Sequence, residues 1–315
     1  MSFATVRALV IAGALASVGC QPVASPVTRL AEGELNITGI AVDEFSLYFI
    51  KSDGQVKGIP LDGGDAAPLT TGELVDPRHI ALDADFVYLG TSGGTLARVP
   101  KGSGDVEALL AGQPAIKGLA ADTTHVYFAS GDQLRKMALV DQEETSLAAS
   151  AIEDGTLVKN GGALYWVDGS PGSVRTVQAD AVGAAEPGIV QTGAKVTAVD
   201  GNFIYWAATD TEDPQLPYDT LYRKRHDGSE LCRIARSQAE IFKIVSDEDN
   251  VYWTSKDGSV STAPPECDST PFVFSFLSDG DDEAVFLAQD AAYVYYARSK
   301  TGTIWARPKG SLVTQ

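Results

Sequence analysis

The chain has 315 residues, 44% of them hydrophobic and 21% charged, which describes a globular protein long enough for one large domain or two ordinary ones. Forty-two acids against 24 Lys and Arg leave a formal charge of −18. That balance excludes nucleic acid as a partner, because affinity there rests on cations neutralising phosphates, and it suits surface solubility, a basic partner or a cation.

In chain order, the first segment differs from everything after it. Met1 to Gly19 carries one cation, Arg7, no acid, and an apolar run from Ala8 to Ala16. The run is too short to span a bilayer, so residues 1–19 read as a signal peptide that is cleaved on export. Removing it takes Arg7 with it, and the mature charge becomes 23 − 42 = −19. The segment ends in Ser17-Val-Gly-Cys20, which resembles the lipobox of bacterial lipoproteins, although Ser17 stands where leucine is usual. The resemblance implies that the Cys20 thiol receives a diacylglyceryl group and becomes the new N-terminus. Residues 20–25 then form a tether, and Gln21 resembles the signals that allow passage to the outer membrane. The expected location is therefore the cell envelope, lipid-anchored, with the outer membrane favoured over the inner.

From residue 26 onward the sequence repeats. Aligned on a tyrosine, the copies centre on Tyr48, Tyr88, Tyr127, Tyr165, Tyr205, Tyr252 and Tyr295, spaced 40, 39, 38, 40, 47 and 43 residues apart. Each copy opens with a short apolar strand such as Ile40-Ala-Val that ends at an acid: Asp43, Asp83, Asp122, Asp200, Asp247 or Asp290, with Asn160 in the fourth. A second strand carries the tyrosine, as in Phe86-Val-Tyr-Leu. A hairpin turn with glycine follows, such as Asp53-Gly54 or Asp257-Gly258. A third strand alternates apolar with polar residues (Leu96-Ala-Arg-Val), and a fourth such as Ala67-Pro-Leu-Thr-Thr completes the unit. Four strands in about forty residues make a propeller blade, so residues 26–315 are expected to form an all-β, seven-bladed propeller. The seventh copy stops after its third strand, near Gly310. The segment starting Pro26-Val-Thr-Arg-Leu resembles a fourth strand, so the start of the chain is expected to complete the last blade and close the ring.

Leu164-Tyr-Trp-Val-Asp168, Ile204-Tyr-Trp206 and Val251-Tyr-Trp-Thr254 resemble the repeats of YWTD-type propellers. Those usually have six blades, whereas this sequence has seven copies. Phe49, Leu89, Phe128 and Tyr296 replace the tryptophan elsewhere. Together with the lipobox, the repeats also resemble the propeller lipoproteins of myxobacteria. Both resemblances imply a non-catalytic binding or scaffold role toward a protein or other surface ligand, with the membrane as a second partner through the lipid.

Residues that recur in every copy are read as structural, since one site needs no seven copies: the aromatics pack between blades and the acids cap turns. Gly90-Thr-Ser-Gly-Gly94 has the spacing of a nucleophile elbow but falls on a hairpin rather than a strand-to-helix turn. His79, His125 and His226 show no metal-ligand spacing; scattered over three copies they could still meet at a propeller axis, and His79, at the start of an innermost strand, is the best placed of them. Asn36-Ile-Thr38 fits a glycosylation sequon by chance in a bacterial chain.

What departs from the repeat is more telling. The fifth copy has an insertion containing Asp210, Glu212, Asp213 and Asp219, and the link into the seventh contains Asp279, Asp281, Asp282 and Glu283. Both belong on one face of a propeller. They read as solvated acidic loops, as a rim facing a basic partner, or as oxygen ligands for Ca²⁺, though the spacing is no EF-hand. A Ca²⁺-dependent propeller hydrolase or lactonase is the alternative to the binding module. It is disfavoured because innermost strands such as Ile40-Ala-Val, Leu119-Ala-Ala and Thr156-Leu-Val are small and apolar. Cys232 and Cys267 remain once Cys20 is acylated; they fall on one face of adjacent blades, where an exported protein can pair them.

Overall fold

The computed structural model describes residues 27–70, 72, 74–169, 172–209, 218–275 and 284–309. Cys20, the signal and the tether lie outside them. Seven four-stranded antiparallel sheets stand around a common axis, each in the strand order of the sequence except the last. Blade 2 shows the pattern: Pro77–Leu82 innermost, then Phe86–Thr91, Leu96–Pro100 and Glu107–Leu110. The innermost strands of blades 1 and 3 to 7 are Ile37–Val42, Ile116–Ala121, Val158–Asn160, Val196–Val199, Ile241–Ser246 and Ala284–Gln289. Among the described residues no helix is long and apolar enough to cross a membrane.

Consecutive residues of a strand point to opposite faces of its sheet, and this explains the repeated aromatic pair. The tyrosine of each blade meets, in the next blade, the residue that follows that blade's own tyrosine. Tyr48 packs with Leu89, Tyr88 with Phe128, Tyr127 with Trp166, and Tyr165 with Trp206. Tyr205 packs with Trp253, Tyr252 with Tyr296, and Tyr295 returns to Phe49 of blade 1. The core is thus divided into seven inter-blade clusters. Burial of each large ring contributes about 2–3 kcal/mol.

The repeated acid works on the turn after the innermost strand. In six blades its Oδ1 accepts the backbone N–H three residues on, at 2.7–2.9 Å (Asp43, Asp83, Asp122, Asp200, Asp247 and Asp290). In four of them Oδ2 also accepts the tyrosine hydroxyl, as from Tyr88 to Asp83 at 2.6 Å and from Tyr205 to Asp200 at 2.7 Å. Lysines from the following blade reach back to the same acids: Lys101 to Asp43 (2.6 Å), Lys159 to Asp122 (3.1 Å) and Lys309 to Asp247 (2.7 Å). Blade 4 lacks the acid; Asn160 Nδ2 donates instead to the Asp200 carbonyl.

The ring closes through the beginning of the described chain. Thr28–Ala31 is the outermost strand of blade 7, with Thr28 opposite Ala306 and Arg29 opposite Trp305. Glu34, just beyond it, accepts Lys57 Nζ of blade 1 at 2.8 Å. A disulfide joins Cys232, at the start of the outermost strand of blade 5, to Cys267 in the third-to-fourth turn of blade 6.

One expectation needs correction. The innermost strands of most blades begin about three residues earlier than their apolar cores suggest, at Ile37, Pro77, Ile116, Ile241 and Ala284. Each of these five has a register shift within its first three residues. The small apolar triplets are real, but they form only the far half of each strand. The near half carries bulged residues, and a bulge re-aims side chains away from strict alternation.

Candidate axial site

Antiparallel order puts the start of every innermost strand on the face that also carries the second-to-third hairpins and the blade-to-blade links. At that face the axis opens into a cavity of about 590 Å³. Because the strands are bulged there, neighbouring residues both line it: Arg78 with His79, and Phe242 with Lys243. Ile40, Leu119, Phe286 and Leu287 add apolar surface to its lining.

Blade 4 departs from its neighbours. Its innermost strand is only Val158–Asn160, and the residues before it form a loop that reaches into the mouth. Ile152, 1% exposed, anchors the loop, and Glu153 N–H donates to the Val167 carbonyl. Gly155 adopts φ +72°, a conformation natural to glycine, and its N–H donates to the Lys117 carbonyl at 2.7 Å. The tip is then held from two other blades. His79 Nε2 lies 2.9 Å from Asp154 Oδ1, and Lys243 Nζ donates to the Gly155 carbonyl at 3.1 Å. Blades 2 and 6, which supply these side chains, stand on nearly opposite sides of a seven-membered ring.

The electrostatics at the mouth oppose those of the chain as a whole. The hydrogen bond with His79, against some burial and with Arg78 and Lys117 nearby, holds the Asp154 carboxyl below the usual carboxylate range. Arg78 pairs with Asp76, which also accepts Ser92 Oγ at 2.6 Å. Lys243 has only the Gly155 carbonyl; among the described residues no carboxylate lies within ion-pair reach of it. Protein packed around its Nζ pulls its pKa below the ordinary lysine value, although the side chain keeps partial contact with channel water.

The expected site residues fare differently. Asp210, Glu212 and Asp213, and likewise Asp279, Asp281, Asp282 and Glu283, lie outside the described residues. Asp219 does not face a rim. Its fully buried carboxylate accepts Lys195 Nζ at 2.7 Å and the Ile241 N–H at 2.9 Å, tying blade 5 to blade 6. The three histidines do not meet. His79 is axial, whereas His125 lies beside Thr124 on the opposite face, and His226 there bridges the Tyr165 hydroxyl and the Asp200 carbonyl. Ser92 sits in a hairpin closed by Gly94 N–H to the Thr91 carbonyl, and its hydroxyl donates to Asp76, a carboxylate already paired with Arg78, with no histidine beside it among the described residues.

Among the described residues no three His, Cys, Asp or Glu side chains converge as metal ligands. At the axis, the cations Lys243 and Arg78 beside the lone Asp154 oppose a dication electrostatically.

Lys243 and Asp154 were missed because they were judged against the apolar triplets. The signal was present nine residues before each repeat tyrosine, where the copies read Gly39, His79, Gly118, Thr156, Val196, Lys243 and Phe286. Only two of those seven ionise, and both contact the blade 4 loop.

No known protein family's profile matches the chain, and no curated protein matches it in sequence. Solved structures do. The chain is similar to the Kuenenia stuttgartiensis hydrazine synthase structure, with a TM-score of 0.70 at 11% identity over 93% of this chain and 99% of that one. It is similar to the WD40 β-propeller domain of Doa1, with a TM-score of 0.66 at 11% identity over 90% and 96%. It is also similar to BamB from Moraxella catarrhalis, with a TM-score of 0.60 at 13% identity over 86% and 85%. At such identities the likeness shows the propeller fold and nothing finer.

Proposed function

We propose that the mature chain is a lipid-anchored propeller of the cell envelope that binds a ligand or protein at the face holding the axial mouth, without catalysing a reaction on it. One observation carries this reading. The residues common to the blades are consumed in holding the ring, and those that break the pattern gather at the mouth as hydrogen-bond donors and cations. His79 is engaged with Asp154, the lining Ser299 donates its hydroxyl to the Ile37 carbonyl at 2.8 Å, and Lys243 is aimed at a carbonyl. Such a set suits recognition: the serine hydroxyl at the mouth is tied to a backbone carbonyl and is not hydrogen-bonded to His79, so nucleophile and base are not coupled as acyl transfer requires.

The anchoring half rests on the lipobox-like Ser17-Val-Gly-Cys20, and the kinship half on the YWTD-like repeats. Topology adds a consequence. Thr28 pairs with Ala306 near the end of the third strand of blade 7, so the outermost strand starts on the face opposite the mouth. This supports an orientation in which a lipid on Cys20, eight residues earlier, would leave the mouth facing away from the bilayer.

The test is metabolic labelling with tritiated palmitate in a bacterial host, with membrane fractionation of the full chain and of Cys20→Ser. The intact chain should take up label and sediment with outer membranes, and the variant should do neither. Equal labelling and sedimentation of the two would overturn the anchor. Calcium-dependent hydrolysis of ester or lactone substrates by the purified chain would overturn the non-catalytic half.

A further inference from the structure

Lys243 sits inside the disc with no carboxylate partner among the described residues, at the edge of a cavity lined about equally by polar and apolar surface. Its ammonium has three donors, and the Gly155 carbonyl occupies one. Leaving a charged group so placed is costly unless something compensates it, and water in a channel does so only in part. Across the mouth, the His79 ring is held by Asp154, and Arg78 at the entrance is paired with Asp76, which leaves Lys243 as the cation of the lining without a carboxylate partner among the described residues. Phe242, Phe286, Leu119 and Leu287 supply apolar lining to the cavity. Gly39 and Gly118 occupy the ring positions on either side of His79. An added Cβ there would come within 3.1 Å of Ile80 Cγ2 at Gly39 and 2.7 Å of Leu157 Cβ at Gly118, so glycine lets side chains of the next blade pack close against these strands.

A ligand that satisfies these walls has one negative end for Lys243 and a flat or branched apolar body for the phenylalanines. We infer that the axial cavity binds a small organic carboxylate, its carboxylate on Lys243 Nζ and its apolar part against Phe242 and Phe286. The volume of about 590 Å³ suits a ligand of one or two rings rather than a polymer. This inference rests on the binding-module reading and names its ligand class. It does not depend on where the chain is anchored.

The test uses the full chain, matured in a bacterial host and extracted from membranes in detergent. It is titrated calorimetrically with benzoate, phenylacetate and hexanoate up to millimolar concentration, and in parallel with benzamide and inorganic phosphate. At least one carboxylate should bind, with benzamide and phosphate at least about tenfold weaker, because a charge-assisted bond and an apolar body are both required. Lys243→Met should weaken that carboxylate by between about ten- and a hundredfold, while Lys243→Arg should retain most of the affinity. If Lys243→Met does not fold, reductive ¹³C-methylation of the wild-type lysines replaces it. The Lys243 resonance, assigned by its absence in Lys243→Arg, should move on adding the carboxylate.

Failure of all three carboxylates to bind overturns the inference, as does equal binding of benzamide or phosphate, unchanged affinity in Lys243→Met, or a static Lys243 resonance. None of these results touches the anchoring experiment or the hydrolysis assay, so failure of the ligand class is distinguishable from failure of the binding module.

Discussion

Replacing Asp200 with alanine removes three hydrogen bonds made by one carboxylate: from the N–H of Asn202 and of Phe203, both at 2.8 Å, and from the Tyr205 hydroxyl at 2.7 Å. The two turn N–H groups lie near the surface and regain water, so their loss costs about 1 kcal/mol. The Tyr205 hydroxyl cannot, because Tyr205 is 0% exposed, and stranding it adds about 2 kcal/mol. The expected cost of Asp200→Ala is thus about 3 kcal/mol. Tyr205→Phe keeps both turn bonds and the ring in its cluster with Trp253, and should cost about 1.5 kcal/mol for one charge-assisted bond. In the double variant no hydroxyl is stranded, so the total should be about 2.5–3 kcal/mol rather than the sum of about 4.5, a coupling of about 1.5–2 kcal/mol. Urea unfolding of the four proteins, read as midpoints at constant slope, measures this directly. Additive costs would mean that the aspartate acts only on its turn and does not latch the inter-blade tyrosine.

Three further outcomes are expected. Burial tends to raise the Asp43 and Asp122 carboxyls. The backbone N–H groups of their turns, with Lys101 and Lys159, outweigh it and hold both below the ordinary range. Their contribution is therefore complete above the unfolded carboxylate pKa of about 4 and is lost as pH falls through the lower folded values. Urea midpoints measured from neutral pH downward should drop below about pH 4, and less steeply in Asp122→Asn. Reducing the Cys232–Cys267 bond, which closes a 35-residue separation, should lower unfolding free energy by about 4 kcal/mol on the chain-entropy account; an unchanged midpoint in dithiothreitol would contradict that. Deleting residues 27–36 exposes the edge of Thr303–Pro308 and removes Leu30 and Ala31 from the closing cluster. The loss should be about 3 kcal/mol, visible as a fall in melting temperature, and equal stability would show that the ring does not need that strand.

The architecture was legible because it is repeated and local. Seven tyrosines at near-constant spacing, six preceded by an acid and six followed by a glycine-containing turn, define strands, turns and blade count without knowledge of any long-range contact. The closing strand at Thr28–Ala31 was legible for the same reason, since it resembles the fourth strands that the other copies carry. The direction of each aromatic was decided only by the tertiary structure. The Tyr127 ring meets Trp166 of the next blade rather than Phe128 beside it, because neighbours on a strand face opposite ways.

The site was the least legible part. Asp219 looked like one acid of a solvated loop, yet it is buried between Lys195 and the Ile241 N–H, partners 24 and 22 residues away. Lys243 and Asp154 lie 89 residues apart in unlike surroundings, and neither matches a motif. They meet around one loop because the bulged starts of the innermost strands and the short strand of blade 4 bring different blades to a common axis. Periodic chemistry writes the scaffold into the sequence itself, since every blade must bury the same face against its neighbour. An axial site is assembled once, from single residues of several blades, and so becomes visible only when the ring has closed.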